Sequence, residues 1–220
     1  MQKTAFLLCL VLYITLTSSD CNKKTSPEPP SNDTYQPTTA GSEWNYTTTG
    51  TTTSGPVNTA FKLMATANDS SANGRTYRIF TNTVGANEYY NKSGNDYYRI
   101  STFAGFPTPL EFLYLKDNLS AGATWSETKN ITISGFPVTA NVTYSIVGSK
   151  YDTSFNGNSF KDVIRIKVTP AIPGVTIENN EVYYLFAKNT GMIANKVRLK
   201  ISLASIDINT ETKLGAYTVK

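Results

Sequence analysis

Across 220 residues, 20 Lys and Arg stand against 16 Asp and Glu, with two cysteines and no histidine. The charged fraction of 16% lies well under the usual quarter, while the 40% of hydrophobic residues is enough for a real core in one domain. The missing imidazole excludes any nucleophile–His–acid triad and any histidine metal ligand. The basic residues alternate with apolar ones in "RIKV" and "KVRLK". Nucleic-acid binders instead gather such residues on one element, so no nucleic-acid partner is expected.

The chain begins with Lys3 and the 12-residue apolar run "AFLLCLVLYITL". Such a run is too short to span a bilayer, which takes roughly 20 residues, and it fits a secretory signal peptide over residues 1–20. Cys21 follows at once and is the last cysteine, so the remainder can hold neither a disulfide nor a thiol-based metal site. Residues 22–41, "NKKTSPEPPSNDTYQPTTAG", hold four prolines and almost nothing apolar. A stretch of that composition cannot bury enough surface to fold and reads, over 21–41, as a Pro/Ser/Thr tether. Extended at about 3.1 Å per residue, it reaches about 60 Å.

The leader with Cys21 resembles the bacterial lipoprotein signal, and "CNKKTSPEPP" resembles the tether of lipoproteins of Bacteroidota. The resemblance implies that Cys21 is the lipid attachment point and that the membrane is a partner through this N-terminal lipid. The family pattern places Leu three residues before the cysteine and a small residue just before it. Here Asp20 takes the latter place, and ordinary secretion is the alternative. Lys23 and Lys24 stand where surface-exported members carry acidic residues, so the expected location is the outer membrane, facing the periplasm.

From residue 42 to 220 apolar residues recur with period two, and breakers fall every eight to twelve residues. In chain order the strand candidates include "SEWNYTTT", "TAFKLMATA", "RTYRIFTNTV", "NEYYNK", "DYYRISTF", "LEFLYL", "TWSETKNITI", "VTANVTYSIVG", "KDVIRIKVT" and "GMIANKVRLKISL", rich in Thr, Val, Ile and Tyr. No amphipathic helix appears. The fold class expected is all-β, a single antiparallel meander of about eleven strands forming a curled sheet, half-barrel or sandwich. A turn at Ser93–Gly94 would set Tyr90 opposite Tyr97 and Tyr89 opposite Tyr98, one tyrosine pair on each face.

Carboxylates are the acid–base groups left, and Glu88, Asp96, Glu111, Glu178 and Glu181 are candidates for a glycosidase pair, though none sits in a motif. "DINTET" places Asp207, Asn209 and Glu211 on one strand face without the glycine an EF-hand loop requires. No catalytic residue, metal ligand or cofactor is therefore assigned. "FAGFPTPLEF" reads as an apolar loop between two strands, either a plug or the lip of a greasy site, and "GFP" recurs at 135–137. Tyr89, Tyr98, Phe103 and Phe106 are the candidate ligand-binding residues.

In the second half, "GNSFKDVIRIKV" and "VYYLFAKNTGMIANKV", with "AGATW" before them, resemble a run in envelope lipoproteins of unknown function. Those families are linked to curved half-barrels like the lipoprotein carriers LolA and LolB. The present chain lacks the helices that plug the concave side of those carriers. The turn over 188–191 calls for a positive φ at Gly191. The function expected is a membrane-anchored, non-catalytic envelope lipoprotein whose β-domain binds a lipid, a glycan or an envelope protein. The alternatives are a periplasmic lipid or lipoprotein carrier and a carboxylate-dependent glycan hydrolase.

Overall fold

The computed structural model describes residues 33–103, 106–133 and 136–220. Cys21 and the leader lie outside them. Twelve strands follow in chain order: β1 Glu43–Thr52, β2 Gly55–Ala72, β3 Arg75–Asn82, β4 Glu88–Ser93, β5 Asp96–Phe103, β6 Phe106–Lys116, β7 Thr124–Ile133, β8 Phe136–Phe155, β9 Asn158–Ala171, β10 Glu178–Ala187, β11 Gly191–Ile201 and β12 Ile206–Thr218. A single 3-10 turn, Ser202–Ala204, separates the last two. The period-two pattern is what makes these strands. In β8 the run Ala140, Val142, Tyr144, Ile146 is buried while Asn141 and Val147 are exposed, because successive side chains leave opposite faces.

All twelve strands form one antiparallel sheet in the order β6-β5-β4-β3-β2-β1-β12-β11-β10-β9-β8-β7. The chain meanders outward from β1 to β6 and returns from β7 to β12. Its first and last strands therefore lie side by side mid-sheet, paired from Glu43↔Thr218 to Thr51↔Asn209. The sheet curls until its two edges, β6 and β7, face each other. They are joined by side chains: the Leu113 amide donates to Glu127 Oε2 at 3.0 Å, and Trp125 Nε1 donates to the Leu113 carbonyl at 2.8 Å. The result is a nearly closed barrel with a side-chain seam.

One end of the barrel is strapped. The packed body starts before residue 42, inside the stretch expected to be tether: Tyr35, Gln36 and Pro37 are buried. The Tyr97 hydroxyl accepts from the Tyr35 amide at 3.1 Å and donates to Asp117 Oδ2 at 2.7 Å. The Asn189 amide donates to the Thr34 carbonyl at 2.6 Å, and Lys188 pairs with Asp33 at 2.7 Å. Gly191 has φ +100, a backbone conformation that favours glycine, and it lies against Trp44, Pro37 and Gln36. The long β8–β9 hairpin bends over the same end through register shifts between Ile146 and Thr153. Asn156 and Asn158 donate to the carbonyls of Leu214 and Gly215 at 3.1 and 2.9 Å. Because β9 and β12 are separated by two strands, these bonds carry the hairpin across the end, where Phe160 and Val163 join Trp44, Phe80 and Leu214 in one core cluster.

The β4–β5 hairpin differs from its expected register. Its turn residues are Gly94 and Asn95, with φ +59 at Gly94, and Tyr90 faces Arg99, Lys92 faces Tyr97 and Tyr89 faces Ile100. A glycine at the first central position is what a II′ hairpin turn demands, and this outweighs a turn at Ser93–Gly94. The slip is even, so parity survives. Tyr90 and Tyr97 share the inner face and are buried, while Tyr89 and Tyr98 share the outer one. "FAGFPTPLEF", expected as a loop, is mostly strand: Phe103 ends β5 and pairs with Phe106 at the start of β6.

Candidate ligand-binding site

Inward positions of β4 to β12 enclose a half-open cavity of about 130 Å³. Its floor, toward the strap, includes Gln36, Tyr114, Phe186 and Met192. Its far part is aliphatic: Ala140, Ile172, Leu199, Ile201, Ile206 and Ile208, a core cluster of their own. These residues lie at the end carrying the β5–β6, β7–β8 and β11–β12 connections. Phe136, the first residue of β8, and Leu203, between β11 and β12, lie at this same end and are 72% and 68% exposed.

The charged side chains lining the cavity are Arg99 and Lys129, both cationic. Their carboxylate partners stand beside them without lining the cavity. Arg99 pairs with Glu88 at 3.0 Å, and Glu88 also accepts from the Tyr90 hydroxyl and from Asn82. Lys129 pairs with Glu127 at 2.7 Å, and Glu127 accepts from the Tyr144 hydroxyl and the Leu113 amide. Arg99 faces Phe112 in the ladder, and Lys129 Nζ lies 5.2 Å from the Phe112 ring across the seam. The two cations thus flank one phenylalanine at one level of the wall.

Burial works against the Arg99 charge, but the Glu88 carboxylate and the tyrosines around it more than offset this and hold the guanidinium protonated. Arg99 lies deep in the interior, yet its side chain keeps 26% of its surface accessible. Accessible surface on a group so enclosed faces the cavity. Arg99 Nε and the Tyr114 hydroxyl are buried without a hydrogen-bond partner. Burial pushes the hydroxyls of Tyr90, Tyr114 and Tyr184 upward, so all three are neutral donors at ordinary pH. Tyr114 points inward because it alternates with Leu110 and Phe112, which line the same cavity. The β-bulge opposite Tyr97, where Tyr97 faces Leu115 and Tyr98 faces Leu113, leaves Tyr114 without a ladder partner and brings Leu115 inward as well.

The residues expected to bind a ligand lie elsewhere or beyond description. Tyr89 and Tyr98 belong to the outer face, opposite the cavity. The Tyr98 ring is covered by Arg75 at 3.7 Å, and Arg75 reaches Glu111, which also accepts from Tyr77 and Asn73. The side chains of Phe103 and Phe106 lie outside the described residues. The five candidate carboxylates are each paired with a cation: Glu88 with Arg99, Asp96 with Lys116, Glu111 with Arg75, Glu178 with Lys200 and Glu181 with Lys196. Glu88 sits on the inner face, whereas Glu111 pairs in register with Ile100 on the outer one, so these two do not face each other. Asp207, Asn209 and Glu211 do share one exposed face, where Lys213 pairs with Glu211 at 2.9 Å. Among the described residues no group of His, Cys, Asp and Glu could hold a metal ion.

Reading the sequence for turns and facing tyrosines passed over Arg99. The clue available was parity: in "DYYRISTF" the arginine alternates with Tyr97 and Ser101, on the same side as a buried aromatic. No family model, no curated protein and no solved structure matches this chain.

Proposed function

We propose that this chain is a non-catalytic binding protein of the bacterial cell envelope, tethered through Cys21, whose barrel takes up an apolar small molecule. The observation that carries this reading is the half-open aliphatic cavity of about 130 Å³. An unfilled void costs stability, because its lining loses the contacts that packing would supply. The strapped end of the same barrel is filled with aromatic side chains, so a void at the other end favours a ligand as its occupant. An engineered apolar cavity of about 150 Å³ stays dry and binds benzene or xenon, which sets the size of a fitting guest at one ring or one short chain. The leader and Cys21 support the tether.

A lipid or lipoprotein carrier is the second reading. The exposed Phe136 and Leu203 at the far end favour it, since apolar residues near a cavity mouth suit transfer from a greasy surface. A lipid with several acyl chains exceeds the cavity volume, so this reading requires the β6–β7 seam to part. Native mass spectrometry of the full chain, purified from its host's envelope, tests both. A noncovalent adduct that organic solvent removes is the expected result, with a mass of one short chain or ring for the first reading and of a whole lipid for the second. A bare chain contradicts both.

A further inference from the structure

Resting on that binding reading, we infer that the cavity selects a single-chain amphiphile with an anionic head, the head held between Arg99 and Lys129 and the tail directed toward Ile201, Ile206 and Ile208. The polarity of the wall carries the argument. Two cations line the cavity while their carboxylates, Glu88 and Glu127, do not. An incoming molecule therefore meets the positive ends of two oriented ion pairs inside a low-dielectric wall, where such charges act with little screening. The cations stand on β5 and β7 with Phe112 of β6 between them. One ladder spacing of about 4.8 Å, between β5 and β6, and then the side-chain seam between β6 and β7 separate their backbones, with Phe112 beside both cations.

Donors are in excess at this level. Beside the accessible guanidinium stand Tyr114 and Tyr184, both neutral and both lining the cavity, while the Tyr90 hydroxyl is already given to Glu88. Tyr114 lacks a hydrogen-bond partner, and so does Arg99 Nε. Buried donors without acceptors are costly, and a head group with several acceptor oxygens relieves that cost. Toward the far end the lining becomes aliphatic, so the tail has one direction in which to lie. The site thus differs from a simple greasy pocket, which would bind an alkane and an acid of equal length alike.

Calorimetric titration of the full chain with octanoate, octanol and octane at neutral pH tests the inference. Octanoate is expected to bind at least about tenfold more tightly than octanol, as charge-assisted hydrogen bonds exceed neutral ones. Lys129→Met is expected to narrow that ratio. The double substitution Glu88→Gln with Arg99→Met, which removes an ion pair whole and so leaves no buried charge alone, should narrow it further. Equal affinity for octanoate and octanol overturns the anionic head and leaves the apolar cavity standing. Failure of all three to bind overturns the binding reading itself.

Discussion

At the strapped end, Trp44, Phe80, Tyr97 and Phe160 point inward and are almost wholly buried. At the far end the corresponding inward positions carry Ala140, Ile172, Leu199, Ile201, Ile206 and Ile208. Both ends belong to the same twelve strands, so the barrel does not narrow from a change in strand number. About eight strands close on an interior that side chains fill, and about sixteen leave a channel. Twelve fall between, and side-chain volume then decides where space remains. Aromatic residues, the β8–β9 hairpin and the segment Tyr35–Pro37 fill one end. Short aliphatic residues leave a cavity at the other. The contrast teaches that in a barrel of this size a binding site arises where large residues are withheld.

A rise in pH and five substitutions sharpen or break this contrast. The largest is alkaline. Burial raises Tyr35 to about 12 and pushes Tyr90, Tyr97 and Tyr144 up as well. Because the folded values exceed the unfolded one of about 10, their contribution to stability is complete below that pH and is lost as pH rises past it. Tyrosinate absorbance is expected to appear together with loss of far-UV strand signal, as one cooperative step. Smooth titration from about pH 10 with the fold intact contradicts the tightly packed strap.

Next, Trp44→Ala should cost about 3–5 kcal/mol in denaturant unfolding. Trp44 lies 5.6 Å from Phe80, ring to ring, and its indole donates to the Thr190 carbonyl at 2.6 Å. Glu88→Ala follows at about 3 kcal/mol, since it leaves Arg99 as an unpaired interior charge. Glu181→Ala, which breaks the exposed pair with Lys196, should change stability by less than about 1 kcal/mol. The last pair is the most specific. Ala187→Leu, in the packed cluster, should destabilise by about 1–3 kcal/mol through overpacking. Ala140→Leu, in the cavity wall, should cost less than about 1 kcal/mol while abolishing ligand binding. Equal penalties at the two alanines would mean that the ends are packed alike.

Much of this architecture was legible in the sequence, for local reasons. Strands β5 and β7 match the segments "DYYRISTF" and "TWSETKNITI", because alternation and flanking turn residues are properties of neighbours in the chain. The facing of the tyrosines was legible too, since parity survives an even slip of register. The β1–β12 pairing was not, as nothing local joins residues so far apart in the chain. Nor was the strap: "TYQP" reads as linker by composition, and Tyr35 is buried only because Tyr97 and Asn189 supply partners in space. The cavity leaves the faintest mark, for it consists of what the inward side chains do not fill. The bulge that brings Leu115 inward next to Tyr114 depends on pairing with β5, which alternation along β6 alone does not reveal.

The most direct test of this contrast is a crystal structure of the protein under xenon pressure. Xenon settles in dry apolar voids and needs no head group, so it reports the cavity independently of any ligand. The account predicts xenon among Val142, Leu199, Ile206 and Ile208 and none among Trp44, Phe80 and Phe160. An interior without xenon, or xenon at both ends alike, would contradict it.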